Sequence, residues 1–202
     1  YLRGFEERLH HSLVLREGSE PLLDHIAYRV WSPRDLELLA EHFRSIGCEP
    51  ELVEDTGEAG QGAALRVYDP LGFPVEFFHE MEHAECLLQR YDLHRGGRLM
   101  RIDHANVYVP DAEEAYEVYR QLGFRCSEYI ASDRDERAAA VWLYRKPTVH
   151  DIAFTTGYGP RLHHVAYTAS EPRSVIELCD SLAGGHREGL IERGPGRHGV
   201  SN

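Results

Sequence analysis

The sequence predicts an α+β protein of tandem βαβββ modules, arranged as two domains of paired modules and incomplete at both ends. Three observations lead there. Short stretches with period-two alternation are followed by amphipathic stretches whose apolar residues fall at i, i+3, i+4 and i+7. The amphipathic stretches open on proline or a capping residue and close on glycine. The whole unit recurs: the strand histidine and the glycine that stops the next helix lie 22 residues apart at His25 and Gly47, 19 at His104 and Gly123, and 20 at His164 and Gly184.

Bulk properties narrow the function. The chain's 202 residues are enough for one large domain or two small ones. With 22 Lys and Arg against 34 Asp and Glu, the net charge of −12 argues against nucleic acid or an anionic membrane as partner. A small anion held by a few local arginines is compatible with it. No apolar run approaches the roughly 20 residues of a membrane span, and Tyr1-Leu2-Arg3 does not open a basic-then-apolar leader. Cys48, Cys86, Cys126 and Cys179 form no CxxC pair and read as reduced thiols, so the expected compartment is cytoplasmic.

Residues 1–17 read as strand material closing a first module that begins before Tyr1. Residues 22–30 alternate as a strand. Ser32-Pro33 then opens a helix with Leu36, Leu39, Ala40 and Phe43 on its stripe, stopped by Gly47. Two further strands, at 65–68 and 73–78, flank the β-turn Asp69-Pro-Leu-Gly72. The predicted organisation is an N-terminal domain over 1–82, a partly helical connector over 83–98, and a C-terminal catalytic domain over 99–202.

The second domain opens on residues 101–110. His104, Asn106 and Tyr108 share one strand face there, and Ala105, Val107 and Val109 share the other. Asp111 caps a helix carrying Ala115, Val118, Tyr119 and Leu122. Strands follow at 124–130, 138–144 with Trp142, and 149–154 with His150. Residues 161–168, with His163-His164, begin another module. Its helix starts at Glu171-Pro172 and carries Val175, Leu178, Cys179 and Leu182. A loop rich in glycine and cations, 191–199, comes next, and the two strands expected by analogy would lie beyond Asn202.

His104 and His164 are equivalent positions in successive modules. Two imidazoles converging from sister strands are two thirds of a site with two histidines and one carboxylate, which leaves metal positions open for substrate and O2. In the second module Asp69-Pro-Leu-Gly-Phe-Pro-Val-Glu76 puts Glu76 on the final strand. The matching glutamate of the last module is expected just past Asn202. His25 and Glu76 hold the corresponding places in the first domain, where they read as a duplicated module that kept its shape and lost its chemistry.

Several long motifs are more specific: Tyr1-Leu-Arg with His10-His-Ser-Leu-Val-Leu-Arg16, the stretch ending Glu76-Phe-Phe78, Gln89-Arg-Tyr-Asp-Leu93, Arg145-Lys-Pro-Thr-Val-His-Asp151, and Ile191-Glu-Arg-Gly-Pro-Gly-Arg-His-Gly-Val-Ser-Asn202. With them the chain resembles the type I extradiol ring-cleaving dioxygenases of the vicinal-oxygen-chelate superfamily, nearest the branch acting on homoprotocatechuate (3,4-dihydroxyphenylacetate). The resemblance implies meta cleavage of a catechol with O2 to a hydroxymuconic semialdehyde, in aromatic catabolism. It implies Fe(II), or Mn(II) in some members, on His104 and His164, and His150 as acid/base near O2. It makes Asn106 and His198 catalytic, places Trp142 and His198 beside the substrate, and gives Arg193 the substrate carboxylate. Partners are then a catechol and O2, with no nucleic acid or membrane, in a homo-oligomer that relatives suggest is a tetramer. The other reading of the modules is a binding or sequestering protein without catalysis, or a glyoxalase-like isomerase that does not use O2.

Overall fold

The computed structural model describes residues 1–197 and residue 199. Its first complete module runs β1 (Ile26–Arg29), α1 (Pro33–Ser45), β2 (Glu51–Val53), β3 (Ala64–Tyr68) and β4 (Pro74–Phe78), with strands in the order β1-β4-β3-β2. The second runs β5 (Leu99–Val109), α2 (Ala112–Gln121), β6 (Arg125–Ala131), β7 (Ala138–Tyr144) and β8 (Ile152–Thr156), in the equivalent order β6-β7-β8-β5. In each, the first strand pairs parallel with the last and the remaining pairs are antiparallel. The βαβββ repeat read from the sequence is therefore present in topology as well as spacing.

A third copy begins with β9 (Arg161–Ala169) and α3 (Pro172–Gly184), and β9 adds antiparallel to β5. Three irregularities mark this pairing, the first at Met100, between Leu99 opposite Ala169 and Arg101 opposite Thr168, and two near the histidines. Ile102 faces Tyr167 and His104 faces Ala166, so Asp103 is an extra residue on β5. Asn106 faces His164 and Val107 faces Leu162, so His163 is an extra residue on β9. Each is a β-bulge, which bends the strand and re-aims the side chain it inserts.

Local chemistry accounts for the helices. The Asp111 carboxylate accepts the N–H groups of Glu113 and Glu114 at the start of α2. Pro33 occupies the first turn of α1, and the Asp35 carboxylate accepts the Ser32 N–H at 2.8 Å. Gly47 and Gly123 follow α1 and α2 at φ +84° and +83°, the left-handed conformation that glycine adopts without a Cβ penalty.

The apolar faces of both sheets, with α1 and α2, form one continuous core. Leu36, Ala40, Phe43, Leu65 and Phe77 come from the first module and Val107, Tyr119, Leu143, Ile152 and Phe154 from the second. Tyr28 joins them, its ring 5.5 Å from Phe124 and 6.3 Å from Tyr119. Each fully buried side chain of this size contributes about 1.5–3 kcal/mol.

Three expectations need correction. Residues 1–17 form only isolated bridges, Leu2 with Leu13 and Leu9 with His83. That segment instead docks on the start of β5, Phe5 and Glu6 donating to the carbonyls of Leu99 and Met100, and a Cβ on Gly4 would collide with the Met100 backbone. The strand expected over 22–30 is shorter, so His25 sits just before β1. The stripe of α3 is also less covered than its pattern implies: Val175 and Leu178 are exposed, because the one strand α3 packs on to any extent among the described residues is edge strand β9.

Candidate metal centre

The second sheet has two chemically distinct faces. Val107, Val109, Val141, Leu143, Ile152 and Phe154 turn toward α2 and the core. Trp142, Ala153, Asn106 and His164 form a cross-strand row on the other face, each directly opposite the next. His104, two residues before Asn106, shares that face. One register thus places His104, Asn106, Trp142 and His164 together.

His104 Nε2 and His164 Nε2 are 3.4 Å apart across 60 residues of sequence. Two ring nitrogens each about 2.1 Å from one ion, subtending near 110°, stand about 3.4 Å apart. Residue positions read as equivalent in the sequence are therefore adjacent in space at the spacing of neighbouring ligands. The other ring edges are held too: His104 Nδ1 lies 2.8 Å from Asp103 Oδ2, and His164 Nδ1 lies 2.7 Å from His163 Nδ1. Burial pushes the Asp103 carboxyl up, but hydrogen bonds from His104 and Thr168 outweigh it and hold that carboxyl below the usual range.

His150 lies in the turn before β8, not within the strand, and is 4% exposed. Its ring centroid is 4.1 Å from that of His104. Neither ring nitrogen has a hydrogen-bond partner among the described residues. Burial, and next the His104 charge, push its pKa down to about 4, so the ring is neutral near pH 7. An orphaned buried imidazole costs about 1–3 kcal/mol, and a polar ligand at this face would relieve it. Asp103, His104 and His150 also form a ligand group of their own, with one donor atom of each inside a 4.8 Å cluster.

Of the other candidates, Asn106 Oδ1 accepts from the Thr155 hydroxyl at 3.2 Å and Trp142 is buried with Ala140 and Ala153. Arg193 is exposed, in the loop after α3. His198 lies outside the described residues. Sequence reading missed Asp103, Thr155 and Thr168. The one visible signal was Asp-His, which recurs at the first strand of both complete modules, at Asp24-His25 just before β1 and at Asp103-His104 within β5.

The first sheet carries a related but differently compensated cluster. Glu76 is fully buried and accepts from Gln61 Nε2 at 2.5 Å and Arg66 Nε at 2.7 Å. Glu58 is buried between His11, at 3.1 Å, and Arg16, at 2.8 Å. His25 Nε2 stands 3.8 Å from Glu76 and 3.9 Å from Glu58. Two arginines already neutralise the two carboxylates, so the charge a divalent ion would supply is present in the protein itself.

Comparison with known proteins matches this architecture. The model of the Glyoxalase/Bleomycin resistance protein/Dioxygenase superfamily covers residues 101–202. The chain belongs to that superfamily. Its sequence relatives are extradiol dioxygenases. A manganese-dependent 2,3-dihydroxybiphenyl 1,2-dioxygenase of Geobacillus genomosp. 3 is 32% identical over 213 residues, covering all of this chain and 67% of the relative. A metapyrocatechase of Geobacillus stearothermophilus is 30% identical, covering all of this chain and 64% of the relative. Among solved structures, homoprotocatechuate 2,3-dioxygenase of Brevibacterium fuscum, in complex with 3,4-dihydroxyphenylacetate, superposes with a TM-score of 0.96 at 47% identity, over all of this chain and 63% of that one. The chain spans 56% to 68% of the length of such relatives. The fold is accordingly the vicinal-oxygen-chelate fold, and no helix among the described residues is long and apolar enough to cross a membrane.

Proposed function

We propose that the intact protein is a metal-dependent extradiol dioxygenase. It would cleave a catechol beside its diol with O2, and 3,4-dihydroxyphenylacetate is the substrate best supported. The observation that carries this reading is the 3.4 Å separation of His104 Nε2 and His164 Nε2 on one sheet face. The relatives' activities support the reaction class, and the ligand set suits Fe(II) or Mn(II). His104 and His164 would hold such an ion, which would supply Lewis-acid and redox chemistry for a vicinal diol and O2.

The chain's own residues supply the rest. Residues 99–202 form the catalytic part in this reading. His150, neutral and with both nitrogens unclaimed, takes a catechol proton and returns it to the oxygen side of the reaction, a role typically worth about 10²–10⁴ in rate. Thr155 holds Asn106 through Oδ1, which leaves Nδ2 to donate toward the substrate. The apolar wall of Trp142 packs the ring and keeps water out. Arg193 and His198 belong to the substrate side, Arg193 pairing the acidic side chain.

The test is to load the intact protein with Fe(II) or Mn(II) and add 3,4-dihydroxyphenylacetate in air. A yellow ring-opened product with matching O2 uptake is expected. Bound metal without product or O2 uptake would favour a sequestering or isomerase role. A second ligand set, Asp103 with His104 and His150, is favoured by their clustering. His164→Ala separates the two, because it abolishes metal retention only if His164 is a ligand.

A further inference from the structure

Of the three irregularities between β5 and β9, two insert their extra residue immediately before a candidate ligand. Asp103 is the unpaired residue of β5 preceding His104, and His163 is the unpaired residue of β9 preceding His164. On a regular strand, neighbouring side chains point to opposite faces. Here each inserted side chain is swung onto the following histidine and meets its Nδ1, at 2.8 Å for Asp103 and 2.7 Å for His163. Asp103 is anchored a second time: its Oδ1 accepts from the Thr168 hydroxyl at 3.1 Å, and Thr168 lies on β9, opposite Arg101.

We propose that Asp103, pinned by Thr168, is a positioning residue that fixes His104 as its Nδ1–H tautomer and aims the Nε2 lone pair at the ion shared with His164. His163 meets the same edge of His164, and accepts its Nδ1–H when the His163 proton is on Nε2. The metal part of this inference rests on the proposed function; the tautomer part does not. The chemistry is direct. A neutral imidazole carries one proton, and only the nitrogen without it can bind a metal. A carboxylate at Nδ1 keeps the proton there, stops the ring from rotating and makes Nε2 a stronger donor. Both Asp103 oxygens are engaged, on the ring edge away from Nε2, so the carboxylate supports the ligand rather than replacing it. The β-bulge is the backbone device that makes this possible, since without the extra residue Asp103 would face the other side of the sheet.

The test uses the intact protein with ¹⁵N-labelled histidine. In metal-free wild type, the ring nitrogens of His104 and His164 should report Nδ1–H. Asp103→Ala should convert His104 to a tautomer mixture and weaken Mn(II) binding about 10–100-fold, with the circular dichroism spectrum unchanged. Asp103→Asn keeps an acceptor oxygen and should recover most of the tautomer bias and part of the affinity. Thr168→Val should give a smaller shift in the same direction, and His163→Ala should act on His164 alone. An unchanged His104 tautomer in Asp103→Ala would overturn the proposal. So would a loss of Mn(II) as complete as in His104→Ala, which would make Asp103 a ligand. Wild type that binds no Mn(II) would overturn the metal reading, while the ring resonances still decide the Asp103 assignment.

Discussion

The Tyr119 hydroxyl donates to Asp69 Oδ2 at 3.1 Å, and this buried hydrogen bond ties the helix of the second module to a turn of the first. Asp69 also accepts the N–H groups of Leu71 and Phe73, both at 2.9 Å through Oδ1. It therefore fixes its own β-turn and anchors a neighbour 50 residues away. Tyr119→Phe should cost about 1 kcal/mol and Asp69→Ala about 3 kcal/mol, because the second leaves three donors unmet. Urea unfolding of the two variants measures both.

His150→Phe should separate stability from activity. Replacing an imidazole with no partner by an apolar ring of similar breadth removes two unsatisfied buried atoms. The metal-free protein should gain about 1–2 kcal/mol, and turnover of the loaded protein should fall about 10²–10⁴-fold. Thermal melts and steady-state rates on one preparation test the pair. A variant that is less stable and equally active would contradict the assignment.

Acid should destabilise the metal-free protein through the same residue. The unfolded chain protonates His150 near pH 6.5, whereas the folded protein resists until about 4. Between these values the unfolded state binds more protons, so stability falls as pH drops, by up to about 3 kcal/mol. Burial raises the Asp69 carboxyl, which takes its proton more readily when folded and works against the loss at the acid end. Denaturation midpoints of wild type and His150→Phe from pH 7 to 4 should diverge, the variant showing the shallower slope.

In the first sheet, the cation matters more than the carboxylate. Arg66→Ala leaves Glu76, which has no exposed surface, facing Gln61 and His25 without its guanidinium, and should cost about 2–4 kcal/mol. Arg66→Leu combined with Glu76→Leu should recover much of that loss, because the paired apolar replacement leaves no buried carboxylate without its cation. Chemical denaturation of the single and double variants provides the cycle.

Much of this was legible in the sequence for a definable reason. The 3.6 and 2.0 periods, the proline and aspartate starts and the glycine stops at 47 and 123 are local, so α1, α2 and the βαβββ succession of elements followed from repetition. The closeness of His104 and His164 was legible because equivalent positions in sister modules were expected to face a common space. The bulges were not legible, since they exist only once β5 and β9 are paired, and Asp103 and His163 acquire their roles from that pairing. Val175 and Leu178 misled for the converse reason: a helix pattern reports what a face can bury, and the surface available to it depends on neighbours. Glu58, Arg16 and His11 come from loops with no periodicity to betray their convergence.

Between His104 and His164 the chain folds a helix and three strands before it returns to β9. Bringing the two imidazoles together requires closing that whole stretch, so this pair is a costly folding nucleus, and a cation gains both of them only once β5 and β9 are paired. Loading would be a late event on a finished scaffold. Its effect would be that of a rivet set after assembly, slowing the parting of two strands already zipped together.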